Sequence, residues 1–246
     1  MKNKIDYGID APEIIKNRTI GSIVFLIISV GVYLFFRDSI YYLRIFVTSI
    51  FILLSISLLT TVVLMILSSK LGKQKESDRI IEMLKIKGNE KVLDAGCGRG
   101  LYLIKIAKKL NTGKVTGMDI WSNDLSSNSR KNTLDNIKLE NVTKKTEIKT
   151  GNLALMPFEN NIFDIVISSF VINNILQFEK RKKALIEITR VLKEDGKLCI
   201  IDMRNIEEYV EILKKNNIQN ITITKTKYLY PKSKIIIGTK KTDWME

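Results

Sequence analysis

The sequence predicts a doubly wound α/β domain that follows two long apolar segments. Three observations lead there. From about residue 80 onward, short apolar runs alternate with stretches of helical periodicity, the pattern of an open sheet with helices on both faces. The apolar run from Val92 ends in Asp94, and glycines follow at 96, 98 and 100 before helix-type periodicity begins at Leu101. Ahead of all this, Thr19–Phe36 and Ile45–Ser69 contain no charged residue.

The elements can be assigned in order. At 1.5 Å per residue the two uncharged segments reach about 27 and 37 Å, against a hydrocarbon core of about 30 Å. We expect spans at about 19–36 and 45–67 within an anchor hairpin of residues 1–74, and a second domain at 75–246. A cleaved signal peptide fits poorly, because no Ala-x-Ala site follows and a second span comes directly after. Lys2, Lys4, Lys16 and Arg18 flank one open end of the hairpin and Lys70, Lys73, Lys75 and Arg79 the other, whereas the turn carries only Arg37 and Arg44. The positive-inside bias then places both termini in the cytoplasm of a multi-pass cell-membrane protein.

Ile80, Ile81, Leu84 and Ile86 mark an amphipathic helix after the basic linker. If it packs antiparallel to the first strand, it begins at the strands' C-terminal edge, where α/β ligands bind, and the site would face the membrane. Beyond the glycines the reading is strand 114–119, helix about 125–139, strands 146–150 and 163–169, helix about 180–192, a turn at Asp195-Gly196 and strand 197–202. A helix at about 206–216 and strands near 221–228 and 234–239 complete it. With no helix between them, the last two strands should pair antiparallel.

Net charge is +14, which favours an anionic partner without choosing one. The chain has no histidine, which excludes His-based dyads and His metal sites, and no metal site is expected. Cys97 and Cys199 are too far apart for a zinc-type pair and read as reduced thiols.

The strand–glycine turn–helix unit is a nucleotide-type cradle. It is not the dinucleotide fingerprint, since neither Gly96 nor Gly98 has a glycine at the sixth position, and Gly113-Lys114-Val115 lacks the Ser or Thr of a P-loop. The strand Val115–Asp119 ends in an acid about 20 residues beyond the glycines, the spacing at which a carboxylate can bind a ribose. Gly151-Asn152-Leu153, Met156-Pro157-Phe158 and the apolar strand Phe163–Ser169 follow, and then the run from Ala184 to Met203.

This order resembles the class I S-adenosylmethionine-dependent methyltransferases, and within them the methyltransferase type 11 group, which includes menaquinone- and ubiquinone-pathway C-methyltransferases. The resemblance spans roughly residues 76–203. It implies a seven-stranded sheet with an antiparallel last strand and S-adenosyl-L-methionine as cofactor. It places the methionine part against Asp94, Gly96, Cys97, Gly98 and Gly100, and the ribose on Asp119. Ile120, Asn152, Leu153 and Ser168 complete the expected cofactor shell. Asn152 stands where relatives usually have an adenine-contacting aspartate. After the fourth strand, Ser169, Asn173 and Asn174 would position the acceptor; relatives often carry His near the last two, and Asn cannot act as a base. Asp164, Asp202, Tyr228 and Tyr230 are weak base candidates, and Asp164 reads as structural.

Ser168–Val171 lacks the Asn/Asp-Pro-Pro-Tyr motif of amino-methylating nucleic-acid enzymes, and no Pro-Cys or Thr-Cys nucleophile is present. The lysine clusters at 105–109, 144–145 and 180–183 suit anionic lipid better than nucleic acid beside a hairpin anchor. The expected function is therefore a membrane-tethered methyltransferase with a small or lipophilic acceptor, the bilayer being its other partner. An RNA or protein methyltransferase held at the membrane, or a non-catalytic cofactor-binding module, are the alternatives. Oligomeric state and acceptor identity are not legible in the sequence.

Overall fold

The computed structural model describes residues 5–36, 41–121 and 129–241. They form two compact units. One is Ile9–Leu71; the other is the chain from Gly72 onward together with the N-terminal segment through Gly8.

The first unit is an antiparallel pair of helices, α1 (Pro12–Phe35) and α2 (Tyr41–Leu67), the second ending in a π-helical turn at Ser68–Gly72. Pro12 sits in the first turn of α1, where its missing N–H costs nothing. The pair is inside-out. Ser22 Oγ and Ser55 Oγ lie 2.9 Å apart, and each also donates to the other's backbone carbonyl. Gly21 lets Leu58 come close, and Phe25 meets Phe51 at 6.0 Å between ring centroids. Outward stand Ile27, Leu34, Leu53 and Ile56, all exposed. Burying serines while displaying aliphatic side chains suits a hydrocarbon surround, where hydrogen bonds and small residues hold helices together. Both helices are long and apolar enough to cross a membrane.

The second unit is a seven-stranded mixed sheet: β1 (Lys91–Ala95), β2 (Lys114–Asp119), β3 (Thr146–Thr150), β4 (Phe163–Ser169), β5 (Leu192–Asp202), β6 (Ile218–Lys225) and β7 (Lys234–Lys240). Its order is β3-β2-β1-β4-β5-β7-β6, with β1 to β5 parallel and β7 antiparallel to both neighbours. The chain reverses direction across the sheet between β1 and β4, which opens a crevice at their C-terminal ends.

Side chains alternate between two cores. Leu93 and Ala95 point into one, with α6 (Phe178–Val191) and α7 (Ile206–Lys215). Val92 points into the other, with α3 (Lys73–Leu84), α4 (Leu101–Lys109) and α5 (Arg130–Leu139). Ile80, Ile81 and Leu84 seat α3 in that second core. The Leu84 carbonyl accepts from Lys197 near the sheet's N-terminal edge, while Glu76 accepts from Lys227 and Tyr228 in the β6–β7 turn at the C-terminal edge. The helix therefore runs antiparallel to the parallel strands, as expected.

Four boundaries of this unit moved by three residues or more, among them the start of β6, at Ile218 rather than Ile221. β6 ends at Lys225 rather than Tyr228, because the N–H groups of Lys227 and Tyr228 donate to Glu76 instead of a ladder. β5 begins at Leu192, which pairs with Phe163 ahead of a register break; Asp195 keeps its turn conformation there, with φ +58°. The helix expected from about 125 begins at Arg130, with Ser129 Oγ accepting from Asn132 N as its cap; residues 122–128 lie outside the described residues, as do 37–40 of the hairpin turn.

Glu76 is fully buried and accepts from two backbone N–H groups and from Arg79. Glu76→Ala strands all of these, which costs about 2–3 kcal/mol. The expected outcome is a melting temperature lower by roughly 4–12 °C for the full chain in detergent; an unchanged melting temperature would remove Glu76 as the link between α3 and the turn.

Candidate functional site at the C-terminal edge of the sheet

The glycine loop leaves β1 and turns at once towards β2. Gly96 N and Cys97 N both donate to the Met118 carbonyl, at 2.7 and 3.1 Å. Gly96, Gly98 and Gly100 all have positive φ. At Gly96 this is compounded by crowding: a Cβ there would lie 2.2 Å from Val171 Cγ2. No larger residue fits between the two strand ends.

Gly100 occupies the N-cap of α4 and has no side chain to offer. Asp94, at the end of β1, does the capping from outside the helix: its Oδ2 accepts from Leu103 N at 2.9 Å. It is buried, and burial pushes its carboxyl up to about 7, opposed by the Leu103 hydrogen bond and reinforced by the charge of Asp119.

Asp119, at the end of β2, accepts from Gly98 N at 2.8 Å through Oδ2 and from Trp121 N at 3.0 Å through Oδ1. The loop and the acid are thus one unit. Ile120 beside them is 54% exposed. Gly151 N donates to the Asp119 carbonyl, which brings the segment after β3 to the same place. There Asn152 is exposed, and its Oδ1 accepts from Ala154 N.

Three further expected cofactor residues have buried side chains. Leu153 points into the α6–α7 core. Ser168 Oγ donates to the Ala95 carbonyl, tying β4 to the end of β1. Cys97 is buried, and burial, with the charges of Asp94 and Asp119, raises its thiol well above the ordinary value, so it is no nucleophile. Cys199, equally buried, is pushed up to about 12.

Ser169, the last residue of β4, is half-buried. Asn174 is exposed and donates to the Phe170 carbonyl. Asn173 N donates to Asp202 Oδ2 at 3.0 Å, and its own Oδ1 is buried with no hydrogen-bond partner. Asp202 also accepts from Met203 N and Tyr209 Oη; burial pushes it up to about 6 against these bonds. Asp164 sits at the opposite end of the strands, held by Lys91 N and Lys193, a structural place as expected. Tyr228 and Tyr230 stand exposed in the β6–β7 turn.

Sequence reading missed the outer braces of the loop. Thr133 Oγ1 donates to the Gly98 carbonyl at 2.5 Å, and Asn136 Nδ2 donates to the Arg99 carbonyl at 3.0 Å and to that of Asp6. Asp6 pairs with Arg99. The available signal was two polar residues at i, i+3 spacing on one helix face. Trp121 was missed too; its indole donates to Thr150 Oγ1 at 3.0 Å.

Two outcomes follow from this geometry. Gly96→Ala should lower stability by about 2–4 kcal/mol, through overpacking and a left-handed backbone. Adding Val171→Ala should recover part of that loss in chemical denaturation; no recovery would mean that the clash is not the cause. Asp94 titrates near 3.9 in an unfolded chain but about 7 in the fold. Between those values the folded state holds a proton that the unfolded state lacks, so stability declines as pH rises through this window and levels off above it. Asp94→Asn still accepts from Leu103 and cannot titrate, so its denaturation midpoint should fall less between about pH 4 and pH 7.

A family model described as a methyltransferase domain matches residues 86–245. A demethylmenaquinone methyltransferase of Lactobacillus johnsonii is 32% identical over 125 residues, covering 50% of this chain and 48% of that protein. The chain spans about half the length of this curated relative. Among solved structures, Haemonchus contortus phosphoethanolamine N-methyltransferase 2, in complex with S-adenosylhomocysteine, superposes with a TM-score of 0.57 at 16% identity, covering 68% of this chain and 53% of that one. Geranyl diphosphate C-methyltransferase from Streptomyces coelicolor, in complex with S-adenosyl-L-homocysteine, gives 0.56 at 13%, covering 68% and 79%. At those identities the likeness is one of fold. The matched residues include β1 to β7 and the glycine loop, and the chain belongs to the methyltransferase-domain family.

Proposed function

We propose that this chain is a membrane-tethered methyltransferase that uses S-adenosyl-L-methionine and acts on a small or lipophilic acceptor. The observation that carries the reading is the Asp119 carboxylate. It is gripped by Gly98 and Trp121 beside the glycine loop, yet these two donors fill only half of its roughly four lone-pair sites. The rest can accept both hydroxyls of a ribose.

The residues present fit the cofactor. Gly96 and Gly98 remain partly exposed and can meet the methionine part, Asp119 suits the ribose, Ile120 offers an exposed apolar wall, and Asn152 keeps an amide for the adenine. S-adenosyl-L-methionine, when bound, supplies a methyl group on a sulfonium that is already activated for displacement. The protein's share is then alignment and exclusion of water. At the acceptor end, the buried Asn173 Oδ1 costs about 1–3 kcal/mol while no donor meets it, and a donor on a ligand would satisfy it. Asn173 and Asn174 orient and cannot take a proton. Asp202 accepts three hydrogen bonds within the fold, so its part is to hold Asn173 N and with it the acceptor loop.

Relatives named as demethylmenaquinone methyltransferases favour a lipophilic, quinone-like acceptor. The inside-out pair α1 and α2 supports the tether, and the lysines and arginines at its open ends support a cytoplasmic catalytic domain with both termini on that side.

Asp119→Ala should raise the dissociation constant for S-adenosyl-L-methionine by roughly 30-fold or more, since charge-assisted bonds to ribose are worth about 1.5–3 kcal/mol each. Calorimetry on the full chain in detergent reads this directly, and unchanged affinity would sink the cofactor assignment. With methyl-labelled cofactor, total lipid extract should take up label in the organic phase. Label entering RNA or protein instead would move the acceptor class, and binding without turnover on any extract would make the chain a non-catalytic module.

A further inference from the structure

Five large side chains stand exposed on three connections at the same edge of the sheet as the site, Phe178 at the first turn of α6. Leu176, at 88% exposure, and Phe178 follow β4; Met203 follows β5; Tyr228 and Tyr230 lie between β6 and β7. Hydrogen bonds and ion pairs join these connections. Arg181 donates to the Ile175 and Leu176 carbonyls and pairs with Glu208 of α7. Asp202 links Asn173 to Met203. Lys234, beside the β6–β7 turn, pairs with Glu207. The turn itself is fixed from below: Leu229 is buried, Thr226 N donates to the Ser233 carbonyl, and Glu76 holds the N–H groups of Lys227 and Tyr228. The apolar tips are therefore presented by a braced frame.

We infer that this rim, Leu176, Phe178, Met203, Tyr228 and Tyr230, rests in the headgroup region of an anionic bilayer, so that the acceptor reaches Asn173 from the lipid phase. The inference rests on the tethered-methyltransferase reading above. Three features commit the rim to a bilayer. Lys180, Arg204 and Lys227 are exposed among the apolar tips, matching an anionic surface. Two tyrosines with apolar bodies and polar tips suit a membrane–water interface. The chain also enters this unit at the same edge, since α3 begins beside the β6–β7 turn and follows directly in sequence on the apolar helices α1 and α2.

The test uses the full chain in lipid nanodiscs. Leu176→Cys and, at the opposite edge of the sheet, Glu194→Cys are each labelled with an environment-sensitive fluorophore; Cys97 and Cys199 are buried and stay unlabelled. In discs rich in phosphatidylglycerol, the label at 176 should shift to the blue and lose about half its emission to lipids carrying a doxyl group near the headgroup, while the label at 194 is unaffected. In purely phosphatidylcholine discs the quenching at 176 should weaken. Equal quenching at the two positions, or none at 176, overturns the inference. A blue shift at 176 that persists in detergent without lipid means a second copy covers the rim, and overturns it as well. Calorimetry with S-adenosyl-L-methionine on the same discs reads the underlying function separately: intact binding with an unquenched rim leaves the methyltransferase reading standing, and lost binding strikes that reading itself.

Discussion

The carboxylate of Asp94 sits where three parts of the fold meet. It is the penultimate residue of β1, the central strand of the parallel half; it caps α4, whose own N-cap is a glycine; and it spans the glycine loop between them. A helix start buried in a core must find partners for its first N–H groups. Here a tight backbone turn needs glycine where a capping side chain would ordinarily stand, and the strand end makes up the loss. The burial that makes the cap effective also lifts its titration to about 7. The proposed cofactor cradle and a stability element are therefore the same few residues, and changes to one act on the other.

From that joint the remaining site is built by short backbone relays. Gly98 reaches Asp119, the Asp119 carbonyl holds Gly151, and Val171 fills the space that Gly96 leaves open. The loop is held from its other side by Thr133 and Asn136. No long side chain is needed to position the acid. The arrangement owes its rigidity to strand ends that are already fixed by the sheet, which is why α/β folds place ligands at this edge.

The two units arrange one alphabet in opposite ways. In the sheet unit, aliphatic side chains fill two cores, and the buried carboxyl groups of Asp94 and Asp202 accept hydrogen bonds from backbone N–H groups. In the helical pair, serines face inward and aliphatic side chains face out. The sheet unit echoes the second pattern in the braced loops at its C-terminal edge, where apolar tips are displayed rather than hidden.

Much of this was legible in the residues. Alternating apolar runs gave the strands, because a two-sided sheet demands them; charge-free length gave the apolar helices; and Asp94, the three glycines and Asp119 gave the cradle, because its turn tolerates few alternatives. What the residues could not convey was long-range partnership. Which way the Leu153 and Ser168 side chains turn was not legible: Leu153 faces the core and Ser168 donates to Ala95, because side-chain direction depends on which neighbour lies across the chain. Thr133 and Asn136 read as an ordinary polar helix face until the fold set them against the glycine loop. The β6 boundary turned on Glu76, some 150 residues earlier in the chain. The sequence by itself determined the elements and the chemistry at the strand ends, because periodicity and turn geometry are local. Only the tertiary structure decided which side chains reach the site, because that depends on contacts between residues far apart in the chain.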